Sequence, residues 1–160
     1  LPKLIDDLGN VELRSHMAWA DTLAGTSIAN VGTTLPHGMG QPISGHCPHV
    51  SHGQSLAVIY PAFMRFTWKS SIERFAQVGR VLNPSLEKKS DKIAAEGCCD
   101  ALDQFLKSIG MWMNLNDLRV PESEIEAILD HCLEFPDCTV NPIVPTREEA
   151  AELYRQSRTN

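Results

Sequence analysis

The sequence predicts an all-α fold, a helical bundle of about six to eight helices. Three observations carry this. Apolar residues recur at intervals of three and four along most of the 160 residues. No segment alternates apolar and polar side chains as a half-buried strand does. The periodic segments are separated by Pro, Gly, Asn and Ser/Thr where helices start and stop.

In chain order, the first long helix is expected from Val11 to Val31. Leu13, Met17, Ala20, Leu23, Ala24 and Ile28 would form its buried stripe, with Asn10 as N-cap. Small residues along it would admit a close neighbouring helix. Gly32-Thr33-Thr34 breaks it, and Leu35 to His46 reads as a second helix with Thr34 as N-cap and Pro36 in its first turn. Cys47-Pro48-His49 is a turn. From Ser51 to Phe66 the chain is apolar nearly all round, as befits a helix in the middle of a bundle; Pro61 should kink or split it.

Ser71 to Val81 is amphipathic through Ile72, Phe75, Ala76 and Val78. Asn83-Pro84 is a loop. Ser90 to Ile109 forms another helix, with Ile93, Ala94, Cys98, Ala101, Leu102, Phe105 and Leu106 on its apolar side and Gly110 closing it. Leu115 to Leu118 is a short turn. Pro121 opens a helix to Leu133, which Phe135-Pro136-Asp137 ends. Asn141 to Pro145 is extended. Thr146-Arg147-Glu148-Glu149 has the pattern of a capping box and starts a last helix to about Arg155.

Composition bounds the function. Residues 1–160 suffice for one domain with a core. The net charge is −6, and there is no Lys/Arg stripe, which argues against nucleic acid and anionic membrane surfaces as partners. No apolar run approaches the roughly 18 residues that span a bilayer. Leu1-Pro2-Lys3-Leu4 is too short and too soon charged for a signal peptide. Leu1 in place of Met leads to the expectation of an upstream piece. The five cysteines are odd in number and contain no Cys-x-x-Cys, as expected of small, buried, reduced thiols in a cytoplasmic protein.

Four of the six histidines fall between His37 and His52, in a segment rich in Gly. Imidazole is the commonest divalent-metal ligand near neutral pH, so the cluster points to a metal. Histidines alone rarely complete such a site, because a carboxylate or thiolate is usually recruited for charge. Cys47 and Asp21 are the nearest candidates and have no supporting spacing, so further ligands are expected from elsewhere.

The order of these segments resembles the C-terminal domain of the iron-containing (group III) alcohol dehydrogenases over almost the whole chain. The resemblance is carried by Glu12-Leu13-Arg14 through Ala24-Gly25 and Ala29-Asn30, by Leu35-Pro36-His37-Gly38-Met39, and by Ser51-His52-Gly53 with Leu56-Ala57 and Tyr60-Pro61. Asn141-Pro142 before Thr146 is a further landmark. The resemblance implies the helical half of a two-domain, dehydroquinate-synthase-like enzyme, with the N-terminal nucleotide-binding half absent from this chain. It implies that His37 and His52 bind one catalytic ion, Fe2+ or sometimes Zn2+. It also implies that an Asp and a His, four apart on an earlier helix, complete the ligand set. Glu12 and His16 share that spacing but fall in the segment that matches the later helix.

The implied activity is NAD- or NADP-linked interconversion of an alcohol and an aldehyde or ketone by hydride transfer, with the metal as Lewis acid. The implied partners are the nucleotide-binding half, a small alcohol or aldehyde, and further copies in a homo-oligomer. The chain by itself is expected to be inactive. Two departures from the family pattern stand out. Gln41 occupies the place of a histidine proposed to relay protons, and it can hydrogen-bond but not titrate. The interval from His37 to His52 is one residue longer than in common members, which lets His46 or His49 compete for the ligand position. Phe63 and Trp112, with Phe66, Trp68 and Met113, are candidate pocket-wall residues. A different reading is a helical metal-binding or interaction module built on His46, His49 and His52 at spacing three, against which Pro48 interrupts the helix.

Overall fold

Helix punctuation explains most of the architecture. The computed structural model describes residues 1–159. Among them are nine α-helices and no strand: α1 (Pro2–Asp6), α2 (Val11–Val31), α3 (Leu35–His46), α4 (His52–Thr67), α5 (Ile72–Leu82), α6 (Asp91–Ser108), α7 (Ile125–Glu134), α8 (Pro136–Thr139) and α9 (Arg147–Gln156). Seven of these are ten residues or longer. Asn10 caps α2, its Oδ1 accepting from the Leu13 N–H at 3.1 Å. Ser51 with Gln54, and Thr146 with Glu149, form capping boxes at the starts of α4 and α9. Each box satisfies two backbone donors that a helix start leaves free. Gly110, at φ 69°, turns the chain after α6 in a conformation that costs other residues a clash at Cβ.

The core centres on α4. Ala57, Val58, Ile59, Ala62, Phe63 and Met64 are all buried along it. Of the two expectations for Pro61, a split does not occur: α4 runs unbroken through it. Proline removes one ladder hydrogen bond. Burial of α4 on nearly every side holds the helix together regardless, and Arg65 Nη1 donates to the Pro61 carbonyl at 3.0 Å. α9 is tied to α3 through Tyr154, whose buried hydroxyl donates to the Met39 carbonyl at 2.9 Å.

The α5–α6 pair meets through small residues. Gly79 lies against Ala94 and Cys98 and Ala76 is buried, while Ile72, Val78 and Ile93 remain exposed. Periodicity had placed those three inside. Close approach at Gly79 rotates the contact onto the neighbouring small side chains instead.

The largest departure is α2. Its apolar stripe exists, yet no residue of the helix is buried; Met17, Trp19, Leu23 and Ile28 all face outward. A helical stripe buries only if another surface covers it, and within the described residues nothing does.

All five cysteines are free and buried. Burial pushes Cys98 and Cys99 up to about 11, so neither is a thiolate near neutral pH. Titration of the native chain with an aromatic disulfide at pH 8 is therefore expected to label these two thiols only slowly, with all five reacting promptly after denaturation. No helix of the described residues is long and apolar enough to cross a membrane.

Candidate metal centre

His37 lies in the first turn of α3, whose start is set by Thr34 and Pro36. His52 is the first residue of α4, fixed by the Ser51 capping box. Two separate helix starts, one with proline in its first turn and one with a capping box, therefore bring these imidazoles together. Their ring centroids are 5.0 Å apart, and the planes meet edge to face at 86°. They open onto a hollow of about 450 Å³ whose walls include Ile28, Thr34, Leu56 and Tyr60.

The pair fits a single divalent ion. A ring centre sits roughly 3.2 Å from a metal that its nitrogen binds at about 2.0–2.1 Å, so two rings at a tetrahedral angle lie about 5 Å apart. Behind His37, Asp137 Oδ1 lies 3.2 Å from Nδ1, and it also accepts a hydrogen bond from the Thr33 hydroxyl. Nδ1 is buried and makes no well-directed hydrogen bond. The short distance and the missing bond are compatible: the carboxylate is within electrostatic reach but off the N–H direction. A small rotation of the ring closes that bond, giving the carboxylate–histidine pair that orients metal ligands. In the chain joined to a nucleotide-binding half, Asp137→Ala is accordingly expected to weaken iron or zinc binding about 10–100-fold while the helical circular dichroism stays unchanged; metal titration of that folded variant checks this.

His52 is poised in its neutral form. Loss of hydration lowers its pKa below the ordinary histidine value, and the neighbouring His37 lowers it further. Neutral imidazole is the form that binds metal. Burial also raises the Tyr60 hydroxyl above its usual range, so it stays protonated beside the hollow. Among the described residues no three His, Cys, Asp or Glu side chains gather as a fuller ligand set. Two imidazoles with one supporting carboxylate are what this chain brings to the site.

Other residues singled out in the sequence lie elsewhere. Gln41, one turn beyond His37, is exposed and lines a different hollow with His46 and His131. Phe63 is buried in the core and meets Tyr60 edge-on at 5.8 Å. Trp112 lies under the Lys107 ammonium, 4.4 Å from its ring centre, and borders a third hollow with Arg65 and Asp103. The hollow beside the paired histidines is walled instead by Ile28, Leu56 and Tyr60.

The His46/His49/His52 module is taken apart by the fold. His46 bonds Glu124 and His131, His49 bonds the Leu118 carbonyl at 2.9 Å, and His52 meets His37. Pro48 and the turn at Cys47 end α3 before these rings can share a helix face. The ring that meets His37 is that of His52, and neither His46 nor His49 takes that place. Asp137 was not identifiable from the sequence. It lies 100 positions from His37, within a stretch that reads only as a Pro-containing stop and forms a short helix.

Comparison with known proteins finds relatives along nearly the whole chain. The family model described as "Fe-containing alcohol dehydrogenase family, C-terminal" matches residues 1–158. The chain is 27% identical to the NAD-dependent methanol dehydrogenase of Bacillus methanolicus over 98% of its own length and 41% of that protein's. It is 28% identical to the 1,3-propanediol dehydrogenase of Citrobacter freundii over 92% of its length and 38% of the relative's. Among solved structures, a 1,3-propanediol oxidoreductase superposes with a TM-score of 0.90 at 26% identity, over 98% of this chain and 41% of the other. An archaeal halo-thermophilic alcohol dehydrogenase from a Red Sea brine pool gives 0.90 at 30% identity, over 98% and 40%. The chain thus spans about two fifths of the length of these relatives.

Proposed function

Since the chain belongs to the Fe-containing alcohol dehydrogenase family, as its C-terminal part, we propose that it supplies the metal-binding half of an NAD(P)-linked alcohol dehydrogenase, with His37 and His52 as two ligands of the catalytic ion. The observation that carries this reading is the meeting of the two rings, 5.0 Å apart, at the mouth of a largely apolar hollow. Fe2+ is the proposed ion and Zn2+ the alternative. Bound there, it supplies Lewis acidity toward an alcohol or carbonyl oxygen. The nicotinamide, NAD or NADP, belongs to the nucleotide-binding half.

The chain's own residues divide the remaining work. His52 stays neutral and available as a ligand. Asp137, bonded by Thr33, would hold the His37 ring once a small rotation closes the Nδ1–carboxylate bond. Ile28, Leu56 and the Tyr60 ring offer apolar surface to the carbon chain of a small substrate and keep water from it. A short primary alcohol or its aldehyde is the proposed substrate class, in line with the relatives named methanol, 1,3-propanediol and lactaldehyde enzymes. The uncovered stripe of α2 is surface for the nucleotide-binding half to cover, with homo-oligomeric assembly as a further part of the proposal. The free thiols favour a reducing, cytoplasmic setting.

The test is NAD(P)H oxidation with short aldehydes under anaerobic loading with Fe2+. It compares the chain alone with the chain preceded by a nucleotide-binding half. Turnover only in the joined protein is expected, with weak or no iron binding by the chain alone. Turnover by the chain alone would overturn the reading, as would turnover by the joined protein after alanine replaces both His37 and His52.

A further inference from the structure

A second pair of histidines has no part in the centre just described. His46 is the last residue of α3, and His131 sits in the last turn of α7, 85 positions later. Packing of α3 against α7 brings His46 Nε2 to 2.7 Å from His131 Nδ1. The other ring nitrogen of His46, Nδ1, lies 3.0 Å from Glu124 Oε2. Both rings border a surface hollow of about 380 Å³, together with Gln41, Pro42, Gly45 and Phe135.

Tutored by proton bookkeeping, this arrangement has one reading for neutral rings. Glu124 as a carboxylate can only accept, so His46 Nδ1 carries the proton and His46 Nε2 presents its lone pair. His131 Nδ1 then donates into that lone pair. If His131 moves its proton to its other nitrogen, two imidazole lone pairs face each other across one spot, one of them backed by a carboxylate. That is the carboxylate–histidine arrangement found behind metal-bound imidazoles.

We propose that His46 and His131 form a second metal site, distinct from the His37/His52 centre, which takes a late first-row divalent ion of the zinc or copper(II) class. Two nitrogens at about 2.0–2.1 Å from one ion at a tetrahedral angle are roughly 3.3 Å apart. The pair must open by about 0.6 Å from its present separation to admit the ion. His131 is exposed and free to make that adjustment, whereas His46 is held by Glu124. The His46 ring also lies at the C-terminus of α3, where unpaired carbonyls favour positive charge. With no third His, Cys, Asp or Glu gathered there among the described residues, water in the open hollow completes the shell. Borderline, imidazole-seeking ions tolerate such a shell; magnesium and calcium, which demand oxygen ligands, do not. The bound ion clamps α3, the helix that carries His37, to α7.

The experiment uses the whole chain with His37→Ala and His52→Ala, so that the first centre is silent. Zinc is titrated calorimetrically near pH 7.5, and copper(II) is added for electron paramagnetic resonance. One equivalent of zinc is expected to remain bound. The copper spectrum should carry splitting from two imidazole nitrogens. Adding His131→Ala, at an exposed position where folding is safe, should weaken zinc by at least 10-fold, and His46→Ala should do the same. Glu124→Gln should weaken it about 10–100-fold as a positioning residue, with the two-nitrogen copper signature retained. The proposal is overturned if the His37/His52 double variant binds no zinc. It is equally overturned if binding survives both His46→Ala and His131→Ala unchanged. Neither result bears on the His37/His52 centre, which is absent from every protein compared.

Discussion

His52→Ala, in the chain joined to a nucleotide-binding half, is expected to strip the catalytic ion and cost more than about 100-fold in turnover. The bound is set by the 10–100-fold typical of losing only a supporting partner; a ligand itself does more. Metal content of the purified variant and kcat for aldehyde reduction are the two readouts, and both should fall together. His37→Ala should behave alike, because the two rings face each other at 5.0 Å and neither has a substitute nearby. The pH dependence carries a definite sign. Protons compete with metal for imidazole, so affinity falls as pH falls through the pKa of a ligand histidine. Desolvation, helped by His37, lowers that value for His52. The part of acid-driven metal release due to His52 should therefore lie below the pH 6.5 of an ordinary histidine. Full metal occupancy in the His52→Ala protein would remove the basis of the proposed function.

Gly79→Ala should produce a large loss of stability for a single added methyl. A Cβ at Gly79 would sit 2.5 Å from the backbone oxygen of Ala94 and 3.1 Å from Cys98 Cβ. The first of these atoms belongs to the α6 backbone and cannot swing aside as a side chain can. Overpacking of a tight core costs about 1–3 kcal/mol, and contact with backbone places this site at the upper end. At roughly 2–4 °C per kcal/mol for a domain of this size, the midpoint of thermal unfolding should drop by about 6–12 °C. Gly97→Ala is the natural control: its Cβ would meet only the side chain of Leu86, at 3.1 Å and beyond, which has rotamers to yield. If the two variants melted at the same temperature, close helix contact at Gly79 would not be the feature that holds α5 to α6.

The sequence by itself determined the helices and most of their ends. Asn10, Ser51, Thr146 and Gly110 act on neighbours within a few residues, so their effects are written in consecutive letters. It also placed His37 and His52 as the pair to watch, through the landmarks around each. Only the tertiary structure decided which faces are buried. The stripe on α2 has the right period and no covering surface, and the contact on α5 turned toward Gly79 because small residues let backbones approach. Only the tertiary structure supplied Asp137 to His37, and His131 with Glu124 to His46. Those partners lie roughly 80 to 100 positions away in the chain. A capping rule reaches one turn, whereas a ligand's support comes from whichever helix packs beside it, and packing is a property of surfaces rather than of spacing.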